Sequence, residues 1–263
     1  MRLTAKTIYD KKKNKEKIVA LTAYDFPSAR ILDEGGVDIV LVGDSLGMVL
    51  LGYENTLPVT MRDMLHHTRA ASKAVKRALL VADMPFGSYD TAARALRNAK
   101  RFLKEGGADA VKLEGGEKIR EKLKALIGAG VPVMGHLGMT PQTAGLLGGY
   151  RVQGKEKREA EKIIRDALLL DHLGVFAMAL ECVPSSLAER ITRRVKCPTI
   201  GIGAGVKTDG QILVLHDMLG FKSDVHPRFV RRYEHLEAVI RKAVEAYRKD
   251  VLAGRFPAAQ ESY

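Results

Sequence analysis

Short apolar runs rich in β-branched residues alternate with amphipathic helical stretches along almost the whole chain. That alternation restricts the fold more than any other feature of the sequence. Runs at 18–24, 38–44, 78–84, 110–113, 131–137, 175–180 and 199–202 read as strands, and 211–215 completes the set as an eighth. Between and after them, 26–34, 61–77, 90–104, 117–127, 155–172, 184–195 and 229–252 read as helices, most of them stopped by glycine. Strands such as 39–42 (IVLV) are apolar on both faces, as buried parallel strands are. Eight strand–helix units in 263 residues predict an α/β chain folded as a closed (β/α)8 TIM barrel, which takes roughly 250 residues. An open doubly wound sheet is the weaker alternative, because no G-x-G-x-x-G follows the first strand. No linker interrupts the pattern. We therefore expect one barrel domain over 1–263, with a basic N-terminal leader and a C-terminal helix and tail.

Composition narrows the setting. The net charge of +12 comes partly from the leader at 11–17, partly from 228–232 and the last helix. No basic stripe is interleaved with aromatics and there is no Trp, so the charge reads as solvated surface and no nucleic-acid partner is expected. No apolar run approaches the roughly 20 residues that span a bilayer, so no membrane partner is expected either. The N-terminus has no apolar segment of the secretory kind, and the two cysteines, Cys182 and Cys197, cannot build a disulfide framework. A cytoplasmic location is the expectation.

In such a barrel the chemistry lies at the carboxyl ends of the strands. The polar residues there are Asp44 and Ser45 after the second strand, Asp83 after the third, and Lys112 and Glu114 on the fourth. His136 follows on the fifth and Glu181 after the sixth. An acid where a buried strand ends needs a partner, and a cation is one. Asp44, Asp83 and Glu114 lie on successive strands, and oxygen ligands of that type suit a hard cation, Mg2+ first. The alternative for each is a helix cap or a paired core charge. Lys112 and Glu114, two residues apart, share one strand face, where Lys112 either binds a substrate carboxylate or pairs with a neighbouring acid. His136 either donates to a substrate oxygen or is a satisfied core histidine. Glu181 follows an apolar run, where burial favours a usable base. The GIGAG run at 201–205 is short and weak as a phosphate signal.

Six motifs in order carry a resemblance: GDSLGM at 43–48, ADMPFGSY at 82–89, VKLEGG at 111–116, GHLGMTPQ at 135–142, ALECVP at 179–184 and IGIGAG at 200–205. Together they resemble the ketopantoate hydroxymethyltransferase family across nearly the whole chain. The resemblance implies transfer of a one-carbon unit from 5,10-methylenetetrahydrofolate to 3-methyl-2-oxobutanoate, giving 2-dehydropantoate by way of a Mg2+-stabilised enolate. It implies that Asp44 and Asp83 bind the metal, with Glu114 completing its site. Asp44, Ser45, Asp83 and Lys112 would contact the oxo acid, and Glu181 would accept the proton; we place His136 with the substrate-binding residues. It also implies a homo-oligomer, a decamer. The rival is a Mg2+-dependent lyase or mutase of 2-oxo acids of the isocitrate lyase and phosphoenolpyruvate mutase type. Neither cysteine sits in the Lys-x-Cys-Gly loop such enzymes usually carry. A non-enzymatic anion-binding barrel leaves the clustered acids unexplained.

Overall fold

The computed structural model describes residues 2–147, 151–221 and 227–263. The end of the glycine-rich loop expected at 138–149, and His226, lie outside the described residues. The chain divides into two compact units, Met1–Val214 and Leu215–Tyr263. The first begins with α1 (Ala5–Lys13), β1 (Ile18–Thr22), α2 (Phe26–Glu34), β2 (Ile39–Val42), α3 (Leu46–Val49), α4 (Met61–Ser72) and β3 (Leu79–Asp83). It continues with α5 (Ala92–Arg101), β4 (Ala110–Glu114), α6 (Arg120–Gly128), β5 (Val133–Gly138) and α7 (Lys157–Leu173). It closes with β6 (Ala177–Glu181), α8 (Ser185–Arg194), β7 (Thr199–Ile202) and β8 (Gly210–Leu213). All eight strands are parallel, and β8 pairs with β1 to close the expected barrel. The second unit holds α9 (Leu215–Leu219) and α10 (Leu236–Leu252), the latter with no buried residue.

Three local expectations change. The basic leader is not a loose arm. Thr4 caps α1 with a reciprocal Thr4–Thr7 box, three lysines complement the dipole of its last turn, and its single apolar face residue, Ile8, is fully buried in the barrel's core cluster. Lys12 donates to the carbonyls of Thr192 and Cys197 and pairs with Asp209 at 3.0 Å, so part of the leader's charge is spent on the barrel. Secondly, the long loop after β2 opens with the short helix α3, and α4 ends at Ser72 rather than at 77. Thirdly, the eighth strand, expected at 211–215, runs over Gly210–Leu213, and Leu215 already belongs to the next helix. The link 203–209 has seven residues, which reach roughly 23 Å when extended, enough to return along a four-residue strand of about 13 Å without a helical crossover. Val19 on β1 stays half exposed, and Gln211 of β8 is exposed.

The barrel interior explains where the site lies. Side chains alternate along each strand, and those in register on neighbouring strands share a face. Ile39 and Leu41, Leu79 and Val81, Ala110, Met134, Ala177 and Ala179, and Ile200 form one buried core cluster. Two residues further along these same inward rows stand Asp83, Lys112, His136 and Glu181, and one more step on β4 adds Glu114. The inward face thus changes from apolar to charged at the carboxyl ends of the strands.

Candidate active site

Pairing register places the polar residues in a ring: Asp83 lies opposite Lys112, Glu114 opposite His136, and Gly138 opposite Glu181. The Lys112 ammonium donates to Asp83 Oδ2 at 2.5 Å. The backbone N–H of Asp44 donates to that same Oδ2 at 3.4 Å, which brings the end of β2 against the end of β3. His136 bridges two acids, with Nδ1 3.4 Å from Glu114 Oε1 and Nε2 3.0 Å from Glu181 Oε2. Ser45 heads α3 and shares a 2.8 Å hydroxyl–hydroxyl hydrogen bond with buried Tyr24, whose carbonyl is 2.7 Å from Nδ1 of His67. Every residue expected to carry the chemistry, Asp44, Ser45, Asp83, Lys112, Glu114, His136 and Glu181, therefore lies at the carboxyl ends of β2–β6. All but Ser45 and Glu181 are buried.

The aim of Glu181 has a backbone cause. Gly138 has a φ of +98°, and a Cβ there would lie 2.2 Å from the Glu181 carbonyl oxygen, so only glycine lets β5 approach β6 this closely. Met139 N–H then donates to that carbonyl at 2.9 Å. Cys182, next in sequence, takes a φ of +48°, rare for a residue with a side chain, and turns the chain away directly after Glu181. Its thiol is no nucleophile. Burial first, and then the Glu181 charge, push it up to about 12. The glycines of 201–205 also have a packing role, since a Cβ at Gly205 would meet Ser185 Cβ at 2.4 Å.

The electrostatics are those of crowded like charges in a dry site. Asp44 is raised well above the ordinary carboxylate range by burial first and then by Asp83 and Glu114; Lys112 and the Gln142 amide oppose this in part. Burial alone would lower the Lys112 ammonium, but the surrounding acids, Asp83 foremost, raise it. For His136 burial and Lys112 pull down, yet the contacts with Glu114 and Glu181 outweigh them and hold the imidazole at about 9. It is an imidazolium at neutral pH. Four acidic side chains, Asp44, Asp83, Glu114 and Glu181, thus crowd around one ammonium and one imidazolium; with all four ionised the ring would be two positive charges short of balance, and Asp44 answers that crowding by holding its proton more tightly.

Two buried acceptors in this ring, Asp83 Oδ1 and Glu114 Oε1, have no hydrogen-bond partner. Unpaired buried carboxylate oxygens in a site short of positive charge fit a hard divalent cation. Among the described residues there is no group of three or more His, Cys, Asp or Glu side chains that could hold a metal ion by itself. Mg2+ does not need one, because it is commonly held by one or two carboxylates with water and substrate in its remaining positions.

Two residues of the site went unassigned in the sequence. Gln142 and Tyr89 lie within motifs that were recognised as such, but nothing in their spacing indicates a destination. Gln142 reaches the ring from the 3-10 turn Pro141–Leu147 after β5, where its amide accepts a hydrogen bond from the Tyr89 hydroxyl and donates to Asp44.

Comparison with known proteins bears on the family and the fold. The family model for ketopantoate hydroxymethyltransferase matches residues 2–259. A 3-methyl-2-oxobutanoate hydroxymethyltransferase of Thermoanaerobacter sp. (strain X514) is 56% identical over 253 residues, covering 96% of this chain and 92% of that protein. The enzyme of the same name from Moorella thermoacetica is 52% identical, covering 100% of this chain and 98% of its own. Among solved structures, a phosphonopyruvate hydrolase complexed with oxalate and Mg2+ superposes with a TM-score of 0.66 at 12% identity, over 98% of this chain and 93% of that one. A 2,3-dimethylmalate lyase of the PEP mutase/isocitrate lyase superfamily gives 0.65 at 14% identity, over 99% and 91%. At that identity these two structures share the fold alone.

Proposed function

This chain belongs to the ketopantoate hydroxymethyltransferase family, and we propose that the ring of charges at its strand ends is the active site. It is a transferase that acts on 3-methyl-2-oxobutanoate in pantothenate biosynthesis. The donor in this reading is 5,10-methylenetetrahydrofolate, the product 2-dehydropantoate and the metal Mg2+. The observation that carries it is the crowding of acids: two more acidic side chains than cations, with Asp83 Oδ1 buried and without a hydrogen bond, and Glu114 Oε1 buried with only the 3.4 Å ion pair to His136. A divalent cation corrects both.

Asp44 and Asp83 would hold the metal, with Glu114 completing its site. When bound, Mg2+ supplies a Lewis acid that withdraws electron density from the 2-oxo group. The protein's own groups do the rest. Lys112, held at Asp83, places an ammonium beside the oxygens of the oxo acid. Ser45, set by Tyr24, offers a hydroxyl to the same end of the substrate. Glu181 removes the proton from C3, leaving an enolate whose C3 bonds to the methylene carbon; both bonds from that carbon to the folate nitrogens break, water supplies the hydroxyl oxygen, and the nitrogens take up the proton from C3 and the one from water, giving 2-dehydropantoate and tetrahydrofolate. His136 holds the carboxylate of Glu181 through Nε2 and the carboxylate of Glu114 through Nδ1. The ring thus keeps the carboxylate of Glu181 aimed from one fixed side.

Part of the same reading is a homodecamer in the cytoplasm. Among the described residues no helix is long and apolar enough to cross a membrane. The test of function mixes the purified protein with Mg2+, 3-methyl-2-oxobutanoate, tetrahydrofolate and formaldehyde, and reads 2-dehydropantoate by mass spectrometry. Product that disappears with EDTA and returns with Mg2+ is the expected result. Binding of metal and oxo acid without product would overturn the donor assignment. Sedimentation velocity on the same sample reads the assembly.

A further inference from the structure

We propose that Gln142 is a positioning residue for the cation site: its amide decides which oxygen of Asp44 is offered to a metal, and Tyr89, bonded to the amide oxygen, holds the amide in place. This rests on the reading of the strand-end acids as the metal and oxo-acid site.

Gln142 is 4% exposed, so its polar atoms need partners, and all of them have one. Nε2 donates to Asp44 Oδ2 at 2.8 Å and to the Met84 carbonyl at 2.9 Å. Oε1 accepts from the Tyr89 hydroxyl at 2.5 Å, and the backbone N–H donates to Glu114 Oε2 at 3.1 Å. One residue from the loop after β5 thus ties together the ends of β2, β3 and β4. The amide has only one workable orientation. The Met84 carbonyl can only accept, so the NH2 must face it and Asp44 beside it, and Oε1 is left for the hydroxyl of Tyr89.

This leaves the three acids alike. Asp83 is anchored through Oδ2 by Lys112 and the Asp44 N–H, and its Oδ1 is unpaired. Glu114 is anchored through Oε2 by the Gln142 backbone, and its Oε1 accepts no hydrogen bond. Gln142 gives Asp44 the same treatment through Oδ2, which leaves Oδ1 as the oxygen to offer. Groups that hold a metal ligand in this way commonly alter metal affinity by roughly 10–100-fold when removed.

The probe is Mn2+, read by the free-ion electron paramagnetic resonance signal, with Tm measured alongside. Gln142→Met keeps the length of the side chain and the backbone donor to Glu114 but removes the amide. We expect it to weaken Mn2+ binding roughly 10–100-fold. Tyr89→Phe, which keeps the amide but no longer holds its oxygen, should weaken it by a smaller factor. In an Asp44→Asn background, Gln142→Met should add no further loss, because its effect runs through Asp44; a merely structural role would add the same loss in either background. Folded Gln142→Met with Mn2+ affinity within about twofold of the parent would overturn the proposal and leave the site reading intact, as would full additivity with Asp44→Asn. Should Gln142→Met not fold, Tyr89→Phe decides: unchanged affinity overturns the proposal. A parent protein that binds no Mn2+ would remove the site reading, and this proposal with it.

Discussion

Acidic residues stand at both ends of the barrel, and the two ends treat them in opposite ways. At the amino ends of the strands each acid answers a backbone donor on the neighbouring strand. Asp38, just before β2, accepts from Val19 N–H at 3.0 Å and pairs with Lys11 at 3.1 Å. Asp109, just before β4, accepts from Leu80 N–H, and Asp209, just before β8, from Thr199 N–H. Asp33 on α2 accepts from three successive backbone donors, Lys76, Arg77 and Ala78. Burial works against its charge most strongly, yet those three bonds and the Arg77 guanidinium together hold it below the usual carboxylate range. At the carboxyl ends the acids face one another, and Asp44 is raised instead. The amino-end acids stabilise the fold. The carboxyl-end acids oppose it until something positive arrives, and that unmet demand is what binds ligands.

Three substitutions break or sharpen this contrast. The largest effect belongs to Glu181→Gln. It keeps the shape and removes the base, so oxo-acid binding should persist while kcat falls by about 10²–10⁴-fold, the range for a general base. Calorimetry for binding and steady-state rates for turnover check both halves, and near-normal kcat would take Glu181 out of the reaction. Next is Asp33→Ala at the other end. It strands the backbone N–H groups of 76–78 and should cost about 2–4 kcal/mol in urea unfolding, with the active site unchanged in its affinity for metal. Its contribution is present above the ordinary carboxylate pKa and is lost as pH falls through the lowered value, so the gap between variant and parent should close in acid. Asp44→Asn should go the other way. It relieves crowding among buried acids, and the metal-free variant should gain on the order of 1 kcal/mol, a Tm rise of about 2–4 °C, while Mg2+ binding is weakened but still measurable. A variant at the carboxyl end that lost stability as Asp33→Ala does would erase the distinction between the two ends.

The contrast was half legible in the sequence. Period-two alternation on β3, β4 and β6 sends Asp83, Lys112, Glu114 and Glu181 to the same side as the apolar residues before them, and position after a strand marks an acid as belonging to the site. The eight strands follow from the same alternation, within a residue or two at most ends. What stayed hidden depends on where a turn or a surface helix lands. The role of Gln142 comes from a loop that crosses three strand ends, and no spacing within the loop encodes that. Ile8 looked like part of a charged leader because one apolar residue among lysines gives no periodic signal; only its docking into the barrel floor shows it to be core.

The smallest effect is a titration that changes neither fold nor rate, and it tests the contrast at a single ring. The metal-free protein should show the imidazole of His136 titrating at about 9, because Glu114 and Glu181 hold the proton on against burial and Lys112. Nitrogen-15 histidine spectra, assigned with a His136→Asn variant, read this directly. Since the folded value lies above the ordinary 6.5, the ion pairs stabilise the protein fully below about 6.5, and that contribution is lost as pH rises through about 9. Removing one carboxylate with Glu181→Gln should lower the midpoint, whereas Asp33→Ala, at the opposite end of the barrel, should leave it where it is. A midpoint near 6.5 in the parent would mean that the acids at the carboxyl ends are already neutralised by protons, and the deficit of positive charge assigned to that end would not exist.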